Sequence, residues 1–238
     1  MSAPPLRLPA PPPFELWLVS LAGDAAQDAR LLDDAQRRRA AGFAFERDRR
    51  RHVAAHAALR RLLGRRLGVA PEAIRIEADA SGKPRVRGEP GCAFSLSHSG
   101  DRALVALAPD GDIGVDLEPL GQLRELDALA ARCLCDQERI DLDATPEAER
   151  ELAFLRAWTR KEACLKALGT GLRIEPSAVR TGFGAEGRRL QIDIQGGVYE
   201  LMVHSLVPEP GWVAALACRA GGPKRGMSNP GTNLYSAR

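Results

Sequence analysis

The chain has 238 residues, 45% of them hydrophobic and 27% charged, with a net charge of +3. Such a length buries a sizeable core as one large or two small domains, and the composition excludes wholesale disorder. The near-balanced charge excludes a global basic field, and no apolar run approaches the ~20 residues of a membrane span.

The start, Met1 to Pro13, is Pro-rich and lacks the apolar core of a signal peptide, so a cytoplasmic location is expected. Phe14 to Leu21 predicts a first strand, and residues 25–41 and 46–67 predict two helices. The second helix carries Val53, Leu59, Leu62, Leu63 and Leu67 on its apolar side. Strands are predicted at 74–77, 93–97 and 103–108, the last two as a hairpin. The second half repeats the plan. Strand 112–118 leads into helical segments at 123–142 and 148–168, and strands follow at 189–194, 198–206 and 211–218. In both halves a long helix gives way to a glycine, a proline and an apolar strand, first at Gly68 and Pro71 and again at Gly169 and Pro176. This hints at duplication without a sequence repeat. The tail after Ala220 is rich in Gly, Ser and Asn and is expected to be mobile.

Arginine is dense at 37–39, 47–51 and 60–66, a patterning that suits an anionic coenzyme, an acidic protein surface or nucleic acid. The five cysteines are odd in number and scattered, so reduced thiols are expected rather than a disulfide framework. Cys133 and Cys135 are spaced too closely for the usual zinc pair. His52 and His56 are four apart on a helix, but Val53 stands where a zinc-protease helix needs Glu, so core or surface roles are expected for both.

Two segments carry the chemistry. In Gly114-Val115-Asp116-Leu117-Glu118 the period of two puts Asp116 and Glu118 on one face of a strand, with Gly114 before them leaving room for a ligand. Two carboxylates so close repel each other unless a cation neutralises them. In Trp158-Thr159-Arg160-Lys161-Glu162-Ala163-Cys164-Leu165-Lys166, Glu162 and Lys166 are four apart on one helix face, while Lys161 points about 100° away. Upstream, Phe94-Ser95-Leu96-Ser97-His98-Ser99 runs into a Gly-containing turn whose hydroxyls and imidazole suit a phosphate, and Ser81-Gly82-Lys83-Pro84 adds a cation in a rigid bend. Each motif alone also fits a bland role: the solvated face of an edge strand, a surface ion pair, a plain turn.

In combination and in this order, the four motifs resemble the 4′-phosphopantetheinyl transferases of the larger, two-lobed type, over roughly residues 14–218. The resemblance implies an α+β fold of two similar lobes in pseudo-twofold arrangement. The expected divisions are a Pro-rich segment 1–13, an N-terminal lobe 14–110, a C-terminal lobe 111–220 bearing the carboxylates, and a tail 221–238. It implies Mg²⁺ on Asp116, Glu118 and Glu162, with Glu162 also the general base and Lys166 a phosphate contact. Asp116, Glu162 and Lys166 are then the catalytic set, and Arg39, Lys83, Ser97, His98 and Lys166 hold coenzyme A. The run Arg37-Arg38-Arg39 leaves the register of the first of these open by a residue or two. The implied reaction moves phosphopantetheine from coenzyme A to a serine of an apo acyl or peptidyl carrier protein of fatty-acid, polyketide or peptide synthesis. Partners on nucleic acid or membrane are not expected, and a monomer suffices for the site. Two rival classes are a metal-dependent nucleic-acid enzyme, which predicts salt-sensitive polynucleotide binding, and a non-catalytic coenzyme-binding or carrier-docking module, which predicts a damaged carboxylate set.

Overall fold

In the computed structural model, residues 3–170, 173–194 and 197–219 are described, so the tail expected after Ala220 lies outside the described residues. Two four-stranded antiparallel sheets, each backed by a long helix, organise the chain. The first sheet has the order β1 (Leu6–Leu8), β2 (Glu15–Ser20), β6 (Arg102–Ala108), β5 (Ala93–Ser99). The second has the order β7 (Ile113–Pro119), β10 (Trp212–Arg219), β9 (Gly197–Leu206), β8 (Arg188–Ile194). Strands β3 (Ile76–Ala78) and β4 (Pro84–Val86) form a separate short ribbon.

The duplication hinted at by the sequence is present in the topology. In each half the first long strand pairs with the last, and the last with the one before it: β2–β6–β5 and β7–β10–β9. Each half also carries a 22-residue helix, α3 (Glu46–Leu67) and α6 (Glu147–Leu168). Each helix ends on a left-handed glycine, Gly68 at φ 69° and Gly169 at φ 71°, where a side chain would be strained. A Pro-led 3₁₀ turn follows in both, Pro71–Ala73 and Pro176–Ala178. The apolar alternation of the strands feeds one core shared by both sheets, in which Leu16, Leu104 and Ala106 of the first meet Val115, Leu117 and Leu216 of the second.

The expected helix at 25–41 is two helices, α1 (Ala25–Ala29) and α2 (Asp34–Ala41). The break comes from Asp33, whose carboxylate caps Gln36 N–H while the Gln36 side chain accepts from Asp33 N–H, a reciprocal capping box that starts a new helix. The stretch at 123–142 is likewise divided, into α4 (Leu126–Cys133) and α5 (Asp136–Asp143). Strands β1 and β4 are three residues each and too short to announce themselves by alternation. No helix among the described residues is long and apolar enough to cross a membrane.

The candidate active site

The two sheets meet edge to edge at β5 and β7, and serines close the seam. Ser95, Ser97 and Ser99 alternate along β5 and therefore share a face. Ser95 Oγ accepts from the Val115 N–H at 3.0 Å, Ser97 Oγ donates to Asp116 Oδ1 at 2.8 Å, and Ser99 Oγ donates to Glu118 Oε2 at 2.7 Å. Asp116 and Glu118 do share a strand face, and hydroxyls from the other half of the chain hold both.

Helix α6 lies directly over β7. A Cβ on Gly114 would strike the Ala163 carbonyl and come within 2.5 Å of Ala167 N. The expectation that Gly114 leaves room for a ligand is thus corrected: the space is filled by helix backbone. That close approach brings Glu162 and Lys166 to the carboxylates. Lys166 Nζ donates to Asp116 Oδ1 at 2.6 Å and to Ser97 Oγ at 3.1 Å. Asp116 is only 3% exposed, and its second oxygen, Oδ2, is buried without a partner.

The carboxylates sense one another. Burial and then the charge of Asp116 raise the Glu162 carboxyl above its ordinary pKa, with Lys166 pulling the other way. Burial and Asp116 likewise raise Glu118, against the opposing hydrogen bonds of Ser99 and Trp158. Among the described residues, no three acidic, His or Cys side chains are gathered tightly enough to form a finished metal site. The donor set nonetheless fits a hard divalent cation: three carboxylates, one with an orphaned buried oxygen, and two raised by burial and then by the charge of Asp116.

Lys161 faces elsewhere and is wholly buried. Its Nζ donates to Glu138 at 2.6 Å and to the carbonyls of Pro176 and Val179, while Glu138 accepts from the Thr181 and Gly182 N–H groups. This pair fixes α5 and the 176–182 loop to α6. Arg160 is also buried, tied to Ser205 Oγ and to the Thr181 and Glu186 carbonyls. Neither role is legible in the motif, which shows only that Lys161 points away from Glu162 and Lys166.

From Lys166 a cleft of about 370 Å³ runs along the N-terminal half, and Arg39, Lys83, His98 and Lys166 all line it. Among the three consecutive arginines, Arg37 is tied to the Leu32 carbonyl and Asp34, and Arg39 reaches the cleft. Ser97 is at the seam beside it. Lys83 lines the cleft, but its ammonium is buried and donates to the Ile113 and Ala167 carbonyls at 2.9 and 2.6 Å. Burial pulls Lys83 down to about 8, against the attraction of Asp112. Its turn packs on the end of α6, with Ser81 and Lys83 against Gly169. His52 and His56, expected in core or surface roles, both line the cleft, with His52 buried in its wall. Their i,i+4 spacing on the apolar side of α3 is the signal that was available.

The chain matches the 4′-phosphopantetheinyl transferase superfamily over residues 112–217 and the N-terminal region of the 4′-phosphopantetheinyl transferases over residues 21–110. It is 34% identical to the 4′-phosphopantetheinyl transferase HetI of Nostoc sp. over 227 residues, 88% of this chain and 92% of that one. The chain belongs to the 4′-phosphopantetheinyl transferase family. A phosphopantetheinyl transferase of Thraustochytrium sp. is also 34% identical, over 79% of this chain and 69% of its own. A holo-[acyl-carrier-protein] synthase of Thermotoga maritima superposes on 45% of this chain and 62% of its own, at 20% identity and a TM-score of 0.32, too distant to inform the site. As an enzyme of this family the protein is a transferase that modifies carrier proteins, and the two matched regions divide between Asp110 and Asp112, just before β7.

Proposed function

We propose that this transferase moves the 4′-phosphopantetheine group of coenzyme A to a serine of an apo acyl or peptidyl carrier protein, giving the holo carrier and 3′,5′-ADP. The observation that carries this reading is Asp116 at the seam, bonded through one oxygen to Lys166 and left unpartnered at the other, at the end of a cleft lined by Arg39 and His98.

The serine oxygen forms a bond to the pantetheine-side phosphorus as the bridging oxygen departs with the nucleotide. Glu162 takes the serine proton. Its burial and the neighbouring Asp116 raise its pKa, which makes its carboxylate a better proton acceptor. Lys166 offsets negative charge on the pyrophosphate through a charge-assisted hydrogen bond. Arg39 and His98 hold the coenzyme's outer phosphate, Ser97 fixes Asp116, and Lys83 shapes the wall and anchors the end of α6. Asp116, Glu118 and Glu162 would hold Mg²⁺, which when bound supplies electrostatic stabilisation of the phosphoryl charge. No covalent enzyme intermediate is needed. The lobes are taken as 14–110 and 111–220, with the transfer centre where they meet.

The test is intact-mass spectrometry of a panel of apo fatty-acid, polyketide and peptide-synthetase carriers incubated with the protein, Mg²⁺ and coenzyme A. Gain of one phosphopantetheine on at least one carrier, lost in excess chelator, is expected. Unmodified carriers throughout would sink the reading, as would full activity in chelator for the metal.

A further inference from the structure

The inner wall of the cleft holds a cluster that the transfer step does not use. His52, His56 and His98 stand together, with ring centroids 4.2 Å apart for His52–His56 and 6.2 Å for His52–His98, and Phe43 packs on His52 at 5.1 Å. All three imidazoles line the cleft beside Arg39. They differ in what they can do with a proton.

His56 is held neutral by its neighbours. The Gln36 Oε1 accepts from Arg60 Nε at 2.7 Å and from the Asp33 N–H at 3.3 Å, so its other terminus is the NH₂ group. That NH₂ faces His56 Nδ1 at 3.1 Å and must donate to it. A proton on Nδ1 would set donor against donor. His98 stands at the open mouth of the cleft, exposed to solvent. His52 is 2% exposed, and its Nε2 is buried without a partner. A buried nitrogen left unpaired is costly, and a ligand that supplies the missing partner recovers that cost.

We propose that His52 is a proton-taking phosphate contact: when the coenzyme's outer phosphate dianion settles beside Arg39 and His98, His52 draws a proton from solvent and donates a hydrogen bond to it. This rests on the reading of the cleft as the coenzyme site. The charged groups facing the cluster are nearly all cations. Arg39 approaches from α2, Arg51 from α3, Lys83 from the turn before β4 and Lys166 from α6, with Asp48 the acidic neighbour of His98. Arg60 faces His56. Burial, and after it the neighbouring positive charge, keeps these imidazoles unprotonated, holding His52 down to about 4 and lowering His98 as well. A dianion reverses the local field.

The sign of proton exchange separates this from simple charge pairing. Arginine is always charged, so it takes up nothing. A phosphate monoester, with a second pKa of about 6, releases protons when cations bind it. Lys83, at about 8, is already mostly charged near neutral pH, so uptake approaching one proton requires a neutral imidazole that becomes charged.

The experiment is isothermal titration calorimetry of the full chain near neutral pH, in two buffers of low and high ionisation enthalpy. The probes are adenosine 3′,5′-bisphosphate and adenosine 5′-phosphate. Uptake approaching roughly one proton is expected with the bisphosphate and much less with the monophosphate. His52→Gln should abolish the difference while adenosine 3′,5′-bisphosphate still binds. Binding without uptake, or uptake undiminished in His52→Gln, overturns this inference alone. If neither nucleotide nor coenzyme A binds, the coenzyme reading falls and the inference with it. Should His52→Gln fail to fold, the wild type suffices, because it has only 4 histidines to resolve by NMR. The His52 ring must move from neutral to imidazolium shifts on adding the bisphosphate; a ring that stays neutral contradicts the proposal.

Discussion

Lys166 bonds to Asp116 beside the seam at 2.6 Å, while Glu162, one turn back on the same helix, is not among its ion-pair partners. The i,i+4 spacing of Glu162 and Lys166 suits a surface pair, but packing at Gly114 turns the helix so that the lysine neutralises a strand carboxylate and the glutamate is left with raised proton affinity. A helix face that would be decorative in isolation becomes part of a charge cluster.

The cluster hangs on Asp116. Asp116→Asn keeps the shape and removes the charge, so Lys166 loses its partner and a divalent cation loses a ligand. Transfer should fall by at least ~100-fold, comparable to removal of a catalytic acid–base group. Circular dichroism and melting should stay close to wild type. Near-normal turnover in the folded variant would remove Asp116 from the site.

Two lysines five residues apart should separate cleanly. Lys161→Met strands the buried Glu138 carboxylate, which should cost about 3–5 kcal/mol of stability. Lys166→Met faces the cleft and should melt within a few degrees of wild type while transfer slows. Urea titrations beside carrier-modification rates check both. Equal stability of the two variants would contradict the structural role given to Lys161.

The close approach of α6 to β7 predicts that Gly114→Ala is severe. The added methyl meets helix backbone, which cannot swing aside as a side chain can, so the loss should reach at least ~3 kcal/mol and disturb Glu162 and Lys166 together. Gly184→Ala, with nothing near its Cβ, is the control and should be close to neutral. A mild urea shift for Gly114→Ala would show that the helix can lift off the strand without consequence.

Much of this was legible in the sequence, for identifiable reasons. The alternation in 113–118 places Asp116 and Glu118 together because a strand leaves no other choice, and the apolar period of 148–168 yields α6 because it is long enough to be unambiguous. The pairing of β5 with β7 is not legible, since serine hydroxyls rather than a backbone ladder make it, and a serine carries no periodic signal. The same holds for Lys161 and Arg160, whose burial depends on carbonyls from the 176–186 region. Gly114 was misread because a missing side chain admits a ligand or a helix equally well.

Burial lowers His52 to about 4 and His56 to about 3 in the folded ligand-free chain, below the ordinary histidine value. The unfolded state therefore binds more protons at mildly acidic pH. The stability these neutral rings provide is fully present above about pH 6.5 and is lost as pH falls toward the folded values, by up to about 1.4 kcal/mol per pH unit for each histidine. Urea midpoints between pH 7.5 and 5 should drop, and His56→Gln should flatten the slope relative to wild type. An identical slope in both would show that His56 does not stay neutral in the fold.

The central claim is that the seam carboxylates and the cleft form one transfer centre, and Glu162→Gln tests it most directly. The substitution preserves shape and removes charge and basicity. The measurement is the maximal rate of phosphopantetheine addition to an apo carrier, by intact mass, at saturating coenzyme A and Mg²⁺. A fall of at least ~100-fold in a variant with wild-type circular dichroism is the predicted result; a rate near that of wild type would return Glu162 to the surface and contradict the account.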